Sequence, residues 1–494
     1  MDENKVILNY FFTNHDKSIF AIKNMPQAVQ SYVYMGVSRF PNVRERFLKL
    51  IREKCDVNQL ISFIENGKDV NKLLSNFSTF AAQQNSKIYF DFRHESTAEG
   101  STVFVVSENN PIYATEIQQD FFFPLTTMEL STRYSRKFTY ERVYWDPNLM
   151  KTEFAEEAKK LLFDSFNLYE RGFEILMSEF KERNENTELP EKVSVLDSIR
   201  ALIPLAAYTT VILGGNSRAM MEHFKKLLSY KDAFIQYYAK EALKELSKIS
   251  PEYFSRITVD ENVVKREEKL RKKARELFGN KFIKSKNDVV LHYEPPLEET
   301  IICQILYPYC NLTFEALLDE VNSMNKSERA EILRIATEDR PNRSKPIRGF
   351  ATRHLIFEIE SPWFLWKDFK RHRMNIRFQQ EMRGLSGYEI PYLIKESSIR
   401  SEYEKIMDRA CDLVERVYLK HGGTLSKTVA LQACKKRFLL CMDPRQLTVM
   451  GELRTMGEGD RGYRILASEM IELAKEKNEL LFGHIKNNYL KSQE

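Results

Sequence analysis

The sequence predicts an α+β fold repeated in tandem, on three observations. Short phrases rich in β-branched and aromatic residues recur, long stretches keep a helical apolar period, and the second half of the chain replays the order of the first. The phrase Lys-Val-Ile-Leu-Asn-Tyr at Lys5–Tyr10 returns as Val-Val-Leu-His-Tyr at Val289–Tyr293, and recurrence of this kind is the first sign of duplication. At 494 residues the chain is too long for one ordinary core. The expected organisation is a domain over 1–258, a charged connection over 259–285 and a second domain over 286–494. Each domain is expected to be a small mixed sheet packed with long helices.

The elements follow in order. Lys5–Tyr10 reads as a strand because apolar and polar residues alternate, and Lys87–Phe92 and Thr102–Ser107 read the same way. Pro111 opens a helical stretch leading into Phe121–Ser135. From Thr152 to Lys181 the residues Phe154, Ala158, Leu161, Leu162, Phe166, Tyr169, Phe173, Leu176 and Phe180 keep a 3.6 period, which predicts a long amphipathic helix. Asp197 suits the N-cap of a helix running through Pro204 to Gly214-Gly215, and Asn216 suits the cap of the next, Ser217–Leu228. A helix over Lys231–Ile249 follows, and then the charge-dense Val264–Glu276. In the second half, Val289–Tyr293 and His354–Ile359 read as strands and Pro362 opens a helical stretch. Ser397–Leu419, Leu425–Leu440, Pro444–Thr455 and Tyr463–Lys475 read as helices.

Composition narrows the function classes. The net charge of +5 permits an anionic ligand but does not mark a general nucleic-acid binder, and the basic stretch Arg340–Arg348 lacks interleaved aromatics. No apolar run reaches a membrane span, and the N-terminus lacks a signal-peptide layout, so a cytoplasmic protein is expected. Six cysteines without a Cys-x-x-Cys pair and eight dispersed histidines predict reduced thiols and no metal site.

Chemistry concentrates in Glu129-Leu-Ser-Thr-Arg-Tyr-Ser135. Arg133 can fork onto a phosphate or carboxylate while Ser131 and backbone N–H groups supply shorter donors. The competing reading is an i,i+4 ion pair between Glu129 and Arg133 on a helix. Arg371-His372-Arg373 reads by itself as a solvated basic patch, Asn216-Ser-Arg218 as a helix cap, and His94 equally as a core histidine or a ligand contact.

Taken together, these pieces resemble a flavin-dependent thymidylate synthase, duplicated and fused head to tail. That family carries Arg-His-Arg-x-x-Ser-x-Asn-Glu-x-Ser-x-Arg-Tyr-Ser, an upstream His-x-[Ser/Thr]-x-x-Glu, and later Arg-x-x-x-Pro-Leu, Asn-x-Arg and Leu-Arg elements. The first half matches at His94, Ser96, Glu99, Gln118, Glu129, Ser131, Arg133, Tyr134, Ser135, Arg200, Pro204-Leu205, Asn216 and Arg218. It departs at Phe121-Phe-Phe123, Thr126, Met128 and Leu227. The second half keeps Arg371-His372-Arg373, Arg383, Arg445 and Leu453-Arg454. It departs at Gln379, Glu381, Gly384 and Asp443. The two sets of losses are complementary, as they would be if one site were assembled where the halves meet.

The resemblance implies a deoxyuridine monophosphate site from Gln118, Glu129, Ser131, Arg133, Arg200 and Arg454, with Arg454 the catalytic cation beside the uracil carbonyls. It implies a flavin adenine dinucleotide (FAD) site from Ser96, Glu99, Arg371, His372, Arg373, Asn216 and Arg218. Methylenetetrahydrofolate and NADPH are the implied co-substrates, and a homodimer with pseudo-tetrameric symmetry the implied assembly. The implied function is methylation of the uracil; a flavin- and nucleotide-binding paralogue without turnover, with a regulatory or assembly role, is the alternative. Arg383 is expected to pair with Glu381 and close the second-half pocket.

Overall fold

The computed structural model describes the chain apart from residues 1, 18–19, 37–41, 92–94, 121–124, 184–188, 294–296, 338–346, 351–354, 478–481, 484 and 492–494. His94, Phe121–Phe123 and most of Arg340–Arg348 therefore lie outside the described residues.

The first half opens with α1 (Glu3–Phe11), α2 (Gln27–Gly36), α3 (Val43–Lys54), α4 (Val57–Glu65) and α5 (Ser75–Ser86), which close around their own core of Phe11, Phe12, Phe47, Ile51 and Phe77. Then come β1 (Thr102–Pro111), α6 (Ala114–Gln118), β2 (Thr126–Glu129), α7 (Ala155–Arg183), α8 (Glu191–Ile199), β3 (Tyr208–Asn216), α9 (Ser217–Leu228), α10 (Ala233–Ile249) and α11 (Pro251–Phe254). The connection is α12 (Glu261–Phe278). The second half runs β4 (Val289–Tyr293), α13 (Leu297–Leu306), α14 (Phe314–Ser323), α15 (Lys326–Thr337), β5 (Leu355–Pro362), α16 (Trp363–Phe369), β6 (Ile376–Gln379) and α17 (Tyr392–Lys395). It continues with α18 (Arg400–His421), α19 (Gly423–Ser426), β7 (Lys435–Met442), α20 (Pro444–Arg454) and α21 (Arg461–Lys477).

The fold is α+β, and the duplication is explicit in strand order. The first sheet is β1-β3-β2 and the second β4-β5-β7-β6, the same three-strand pattern with β4 added. Every ladder is antiparallel, not mixed. A single crossover helix would return the chain for a parallel strand. Here β2 and β3 pair antiparallel, so β3 enters from the end at which β2 leaves.

Four further expectations are corrected. Lys5–Tyr10 is helical: Asp2 caps it by accepting from the Asn4 N–H, and Ile7, Leu8 and Phe11 share one buried face. Lys87–Asp91 is a π-helical turn that continues α5. Asp197 lies inside α8 rather than capping it, and the chain beyond Pro204 is strand β3, as its Thr-Thr-Val-Ile run favours. Leu425–Leu440 likewise divides into α19 and β7. Phe438 to Met442 are all buried, and a continuous apolar run does not distinguish helix from strand.

The halves share one core. Its members include Leu161, Phe166, Phe173, Leu202 and Phe224 from the first half, with Trp363, Trp366, Leu413, Phe438 and Leu440 from the second. Burying each such side chain contributes ~1.5–3 kcal/mol. At the centre the backbones pair across a local two-fold. Leu205 N–H donates to Ala430 O at 2.9 Å, Gln432 N–H donates to Ile203 O at 3.0 Å, and Pro204 faces Leu431. Helices α7 and α18 cross beside this pivot, where Gly172 leaves room for Ile199 and Ile399. A Cβ at Gly172 would meet their Cδ1 atoms at 3.0 and 3.1 Å.

Glu129 fastens the two halves from one side. Its carboxylate lies 2.7 Å from Lys367 Nζ and 3.0 Å from Lys370 Nζ, with all three side chains buried. Burial alone would raise the Glu129 carboxyl, but the two lysines outweigh it and hold the group down at about 2. A folded pKa below the unfolded value means this stability is present above the ordinary carboxylate range and is lost as pH falls toward 2. Glu129→Ala leaves two buried ammonium groups unpaired. We expect a loss of ~3–5 kcal/mol at pH 7 in urea unfolding, shrinking as the pH is lowered below about 4.5.

Candidate functional site

The cross-half seam gathers most of the predicted cations. Arg133, in the loop after β2, is held in a fork by Asp197 of α8: Nε donates at 2.7 Å and Nη2 at 2.8 Å. Both its Nη atoms also reach the Glu458 carbonyl at 3.2 Å, in the turn between α20 and α21. The Glu129–Arg133 helix pair is therefore not formed: Glu129 ends a strand, and the two side chains take different partners. Ser131 Oγ accepts from the Arg133 N–H at 3.2 Å.

Arg200 begins the short turn after α8 and is 1% exposed. Its Nη2 donates to Asp460 at 2.9 Å and lies 3.8 Å from Asp368, while Nε is 3.9 Å from Asp197. Its guanidinium also stands over the Phe364 ring at 4.9 Å. Arg200, which the resemblance places in the nucleotide cradle, thus neutralises three carboxylates.

The second half supplies the other wall. Arg371 is half-exposed, with Nε 3.6 Å from Asp368. Arg454 Nε donates to His372 Nε2 at 2.7 Å, the Tyr463 hydroxyl lies 3.2 Å from the same nitrogen, and the Arg454 guanidinium stands 4.8 Å from the Tyr463 ring centre. Burial and then Arg454 push His372 down to about 3, so it is a neutral acceptor that orients Arg454. Arg133, Arg200, Arg371, His372 and Arg454 are therefore brought into one neighbourhood through Asp197, Asp368 and Asp460.

Gln118 is not part of it. Its amide is fully buried and donates to Asn110 at 2.7 Å. The repeat frame would have found the replacement. Gln118 lies three residues before Phe121 and Asp368 three residues before Arg371, so Asp368 is the counterpart that reaches the seam. Asp197 and Asp460 gave no such signal, because their hydrogen-bonded partners Arg133 and Arg200 lie 64 and 260 residues away.

The expected cofactor residues lie along one end of the first sheet. Asn216 caps α9, its side chain accepting from the Ala219 N–H at 2.8 Å. Arg218 in the first turn of α9 pairs with Glu99 at 2.5 Å, the Tyr34 hydroxyl donates to Glu99 at 3.3 Å, and Ser96 is exposed. From the second half, Arg373 donates to the Thr127 carbonyl at 2.9 Å, and Thr127 pairs with Leu213, close to Asn216 in β3. Two cations, a hydroxyl and the N-terminus of a 12-residue helix fit the phosphates of a dinucleotide in charge and in place, with Glu99 as resident counter-ion. His372 faces Arg454 rather than this end.

The second-half counterpart of the motif is rebuilt. Arg383 does not pair with Glu381: it forks onto Glu415 and lies over the Tyr418 ring at 4.3 Å. Glu381 instead pairs with Arg271 of α12.

Comparison with known proteins now bears on this seam. The family model of the thymidylate synthase complementing proteins matches residues 68–252 and again 321–478, one segment in each half. The chain belongs to this family. It is a tandem-duplicated, thymidylate synthase-related protein with motif losses in each half. A UPF0159 protein of Chlamydia pneumoniae is 24% identical over 493 residues, covering 94% of this chain and 91% of the relative. One of Chlamydia muridarum is 25% identical over 497 residues, covering 96% and 92%. A UPF0159 protein of Thermoplasma acidophilum is 22% identical over 443 residues, covering 81% and 87%. The duplicated length is thus shared beyond this chain. Among the described residues no helix is long and apolar enough to cross a membrane.

Burial, and then the nearby Asp460, raise the Asp197 carboxyl to about 6 against the pull of Arg200 and Arg133. Protonation of Asp197 below that value weakens its hold on Arg133 and frees the guanidinium for an external anion. We expect sulfate, whose charge is constant here, to bind several-fold tighter at pH 5 than at pH 7.5 in calorimetric titration. Asp197→Asn should abolish that pH dependence.

Proposed function

We propose that this chain is a flavin-dependent thymidylate synthase with one nucleotide site per chain, converting deoxyuridine monophosphate to thymidylate with methylenetetrahydrofolate. The observation supporting it is that the first half's Arg133 and Arg200 and the second half's Arg371, His372 and Arg454 occupy one seam. Each half lacks what the other supplies. Arg133 exchanges Asp197 and the Glu458 carbonyl for the nucleotide phosphate, assisted by Ser131. Arg454, fixed by neutral His372 and the Tyr463 ring, faces charge developing on the uracil carbonyls. Ser96, Asn216, Arg218, Arg371 and Arg373 hold FAD. A reduced flavin, when bound, supplies the hydride, and NADPH recharges it. Two chains form a homodimer that reproduces four-domain symmetry.

A second reading has its own support. The guanidiniums that would take phosphate are satisfied by Asp197 and Asp460, as in a nucleotide- and flavin-binding relative that has lost turnover.

Product formation separates the two readings. The purified protein should be yellow and release FAD on denaturation, and should form thymidylate when given both co-substrates; binding of FAD and nucleotide without product supports the second reading. Arg133→Ala should weaken deoxyuridine monophosphate binding by ~1.5–3 kcal/mol in calorimetry, while Arg454→Ala should cut turnover at least 100-fold. Light scattering at micromolar concentration should give twice the chain mass, and a stable monomer would count against the assembly.

A further inference from the structure

The family model matches from residue 68 onward, so α2 lies outside the matched segments. One face of α2 is nevertheless given over to the turn Glu95–Gly100, which carries Ser96 and Glu99. Gln27, Ser31 and Tyr34 stand at i, i+4 and i+7, and side chains at that spacing share one side of a helix. Gln27 Oε1 accepts from the Thr102 N–H at 2.8 Å, at the start of β1. The Ser31 hydroxyl is fully buried, donates to the Thr97 carbonyl at 2.5 Å and meets the Tyr253 hydroxyl. A Cβ at Gly100 would come within 2.8 Å of Ser31 Cα and of Tyr34 Cβ, so the turn touches the helix directly.

Gln27 and Ser31 fasten the helix to the turn, and Tyr34 has a different place. It is 44% exposed, and its hydroxyl donates to Glu99 Oε2 at 3.3 Å, while Arg218 Nη1 holds Glu99 Oε1 at 2.5 Å. Burial and then Glu99 raise the Tyr34 phenol, so it keeps its proton and remains a donor at neutral pH. Glu99 is thus shared between a cation, which an anionic ligand would claim, and a neutral donor on a separate helix. Once Arg218 turns to a phosphate, Glu99 is left as a carboxylate beside a second anion, and the two repel. Tyr34 is the donor that stays. Resting on the reading of this end of the first sheet as the dinucleotide site, we propose that Tyr34 is a positioning residue for it: the phenol retains Glu99 while Arg218 passes to the phosphates of FAD. A helix outside the matched family segments thereby tunes cofactor affinity.

The test is a double-mutant cycle on the full chain freed of flavin, read as the Kd for FAD from the change in flavin fluorescence. Tyr34→Phe should weaken FAD at least fivefold while leaving the thermal midpoint of the free chain in place. Glu99→Gln, which removes the competing charge from Arg218, should bind FAD at least as tightly as wild type. In that background Tyr34→Phe should change the Kd less than twofold, because there is no displaced carboxylate left to hold. A phenylalanine variant that binds like wild type would overturn the proposal, and so would an equal loss in both backgrounds, the signature of packing alone. Should Tyr34→Phe lower the midpoint, Glu99→Gln decides by itself, and weaker binding there would overturn the exchange at Arg218. Failure of wild type to bind FAD at all would overturn the dinucleotide reading of this end, and this proposal with it.

Discussion

Arg200 is a full positive charge with almost no contact with solvent, and the arrangement of the seam follows from the need to neutralise it. Asp460 comes from the turn before α21, Asp368 from α16 and Asp197 from α8, so three separate elements are fixed by one guanidinium. The cost of burying these charges is recovered only while all partners are present. Because Arg200 belongs to the first half and two of its partners to the second, the halves cannot separate without exposing an uncompensated set. The backbone pairing at Pro204 and Leu431 places them close enough for this to work.

The two halves repeat the same scaffold but have diverged at equivalent positions. At one seam Glu129 meets Lys367 and Lys370. At the opposite one, Asp120, the counterpart of Lys370, is clamped by Lys226 and Arg348 with Arg377 nearby. The charge at that position is reversed, and each seam is closed by a carboxylate held between two cations. The outer sheet faces differ too. Ile356, Phe378, Leu439 and Cys441 lie in the core built by α12 to α15, whereas Phe104, Val106 and Met128 of the first sheet stay exposed. Duplication thus allowed one copy of each feature to be kept and the other to be spent on stability.

The cations of the seam are not bare. On the proposed nucleotide reading, binding exchanges the Asp197 carboxylate and the Glu458 carbonyl for ligand oxygens rather than filling an empty socket. Such an exchange keeps the apo form stable, and its net free energy is set by the difference between internal and external anions. It also makes affinity sensitive to the protonation of Asp197, whose carboxyl is raised by burial and by nearby Asp460.

Much was legible in the sequence because it is local. The 3.6 period of α7, the Asn216 cap of α9 and the spacing of the Glu129–Ser135 and Arg371–Arg373 motifs are properties of short stretches, and each survives in the fold. The complementary losses pointed to a site shared between halves. Local pattern failed where two structures satisfy the same residues: Lys5–Tyr10 alternates like a strand yet buries a helical face, and the apolar run into Met442 suited either element until its ladder partners chose strand. Tertiary structure alone decided which charges meet. Asp197 lies 64 residues from Arg133 and Asp460 lies 260 from Arg200, so no local motif announces either pair. Gln118 carried the right motif but faces the interior. What a residue type can do is written in the chain; whether it faces a ligand or a counter-ion is fixed only when distant segments pack.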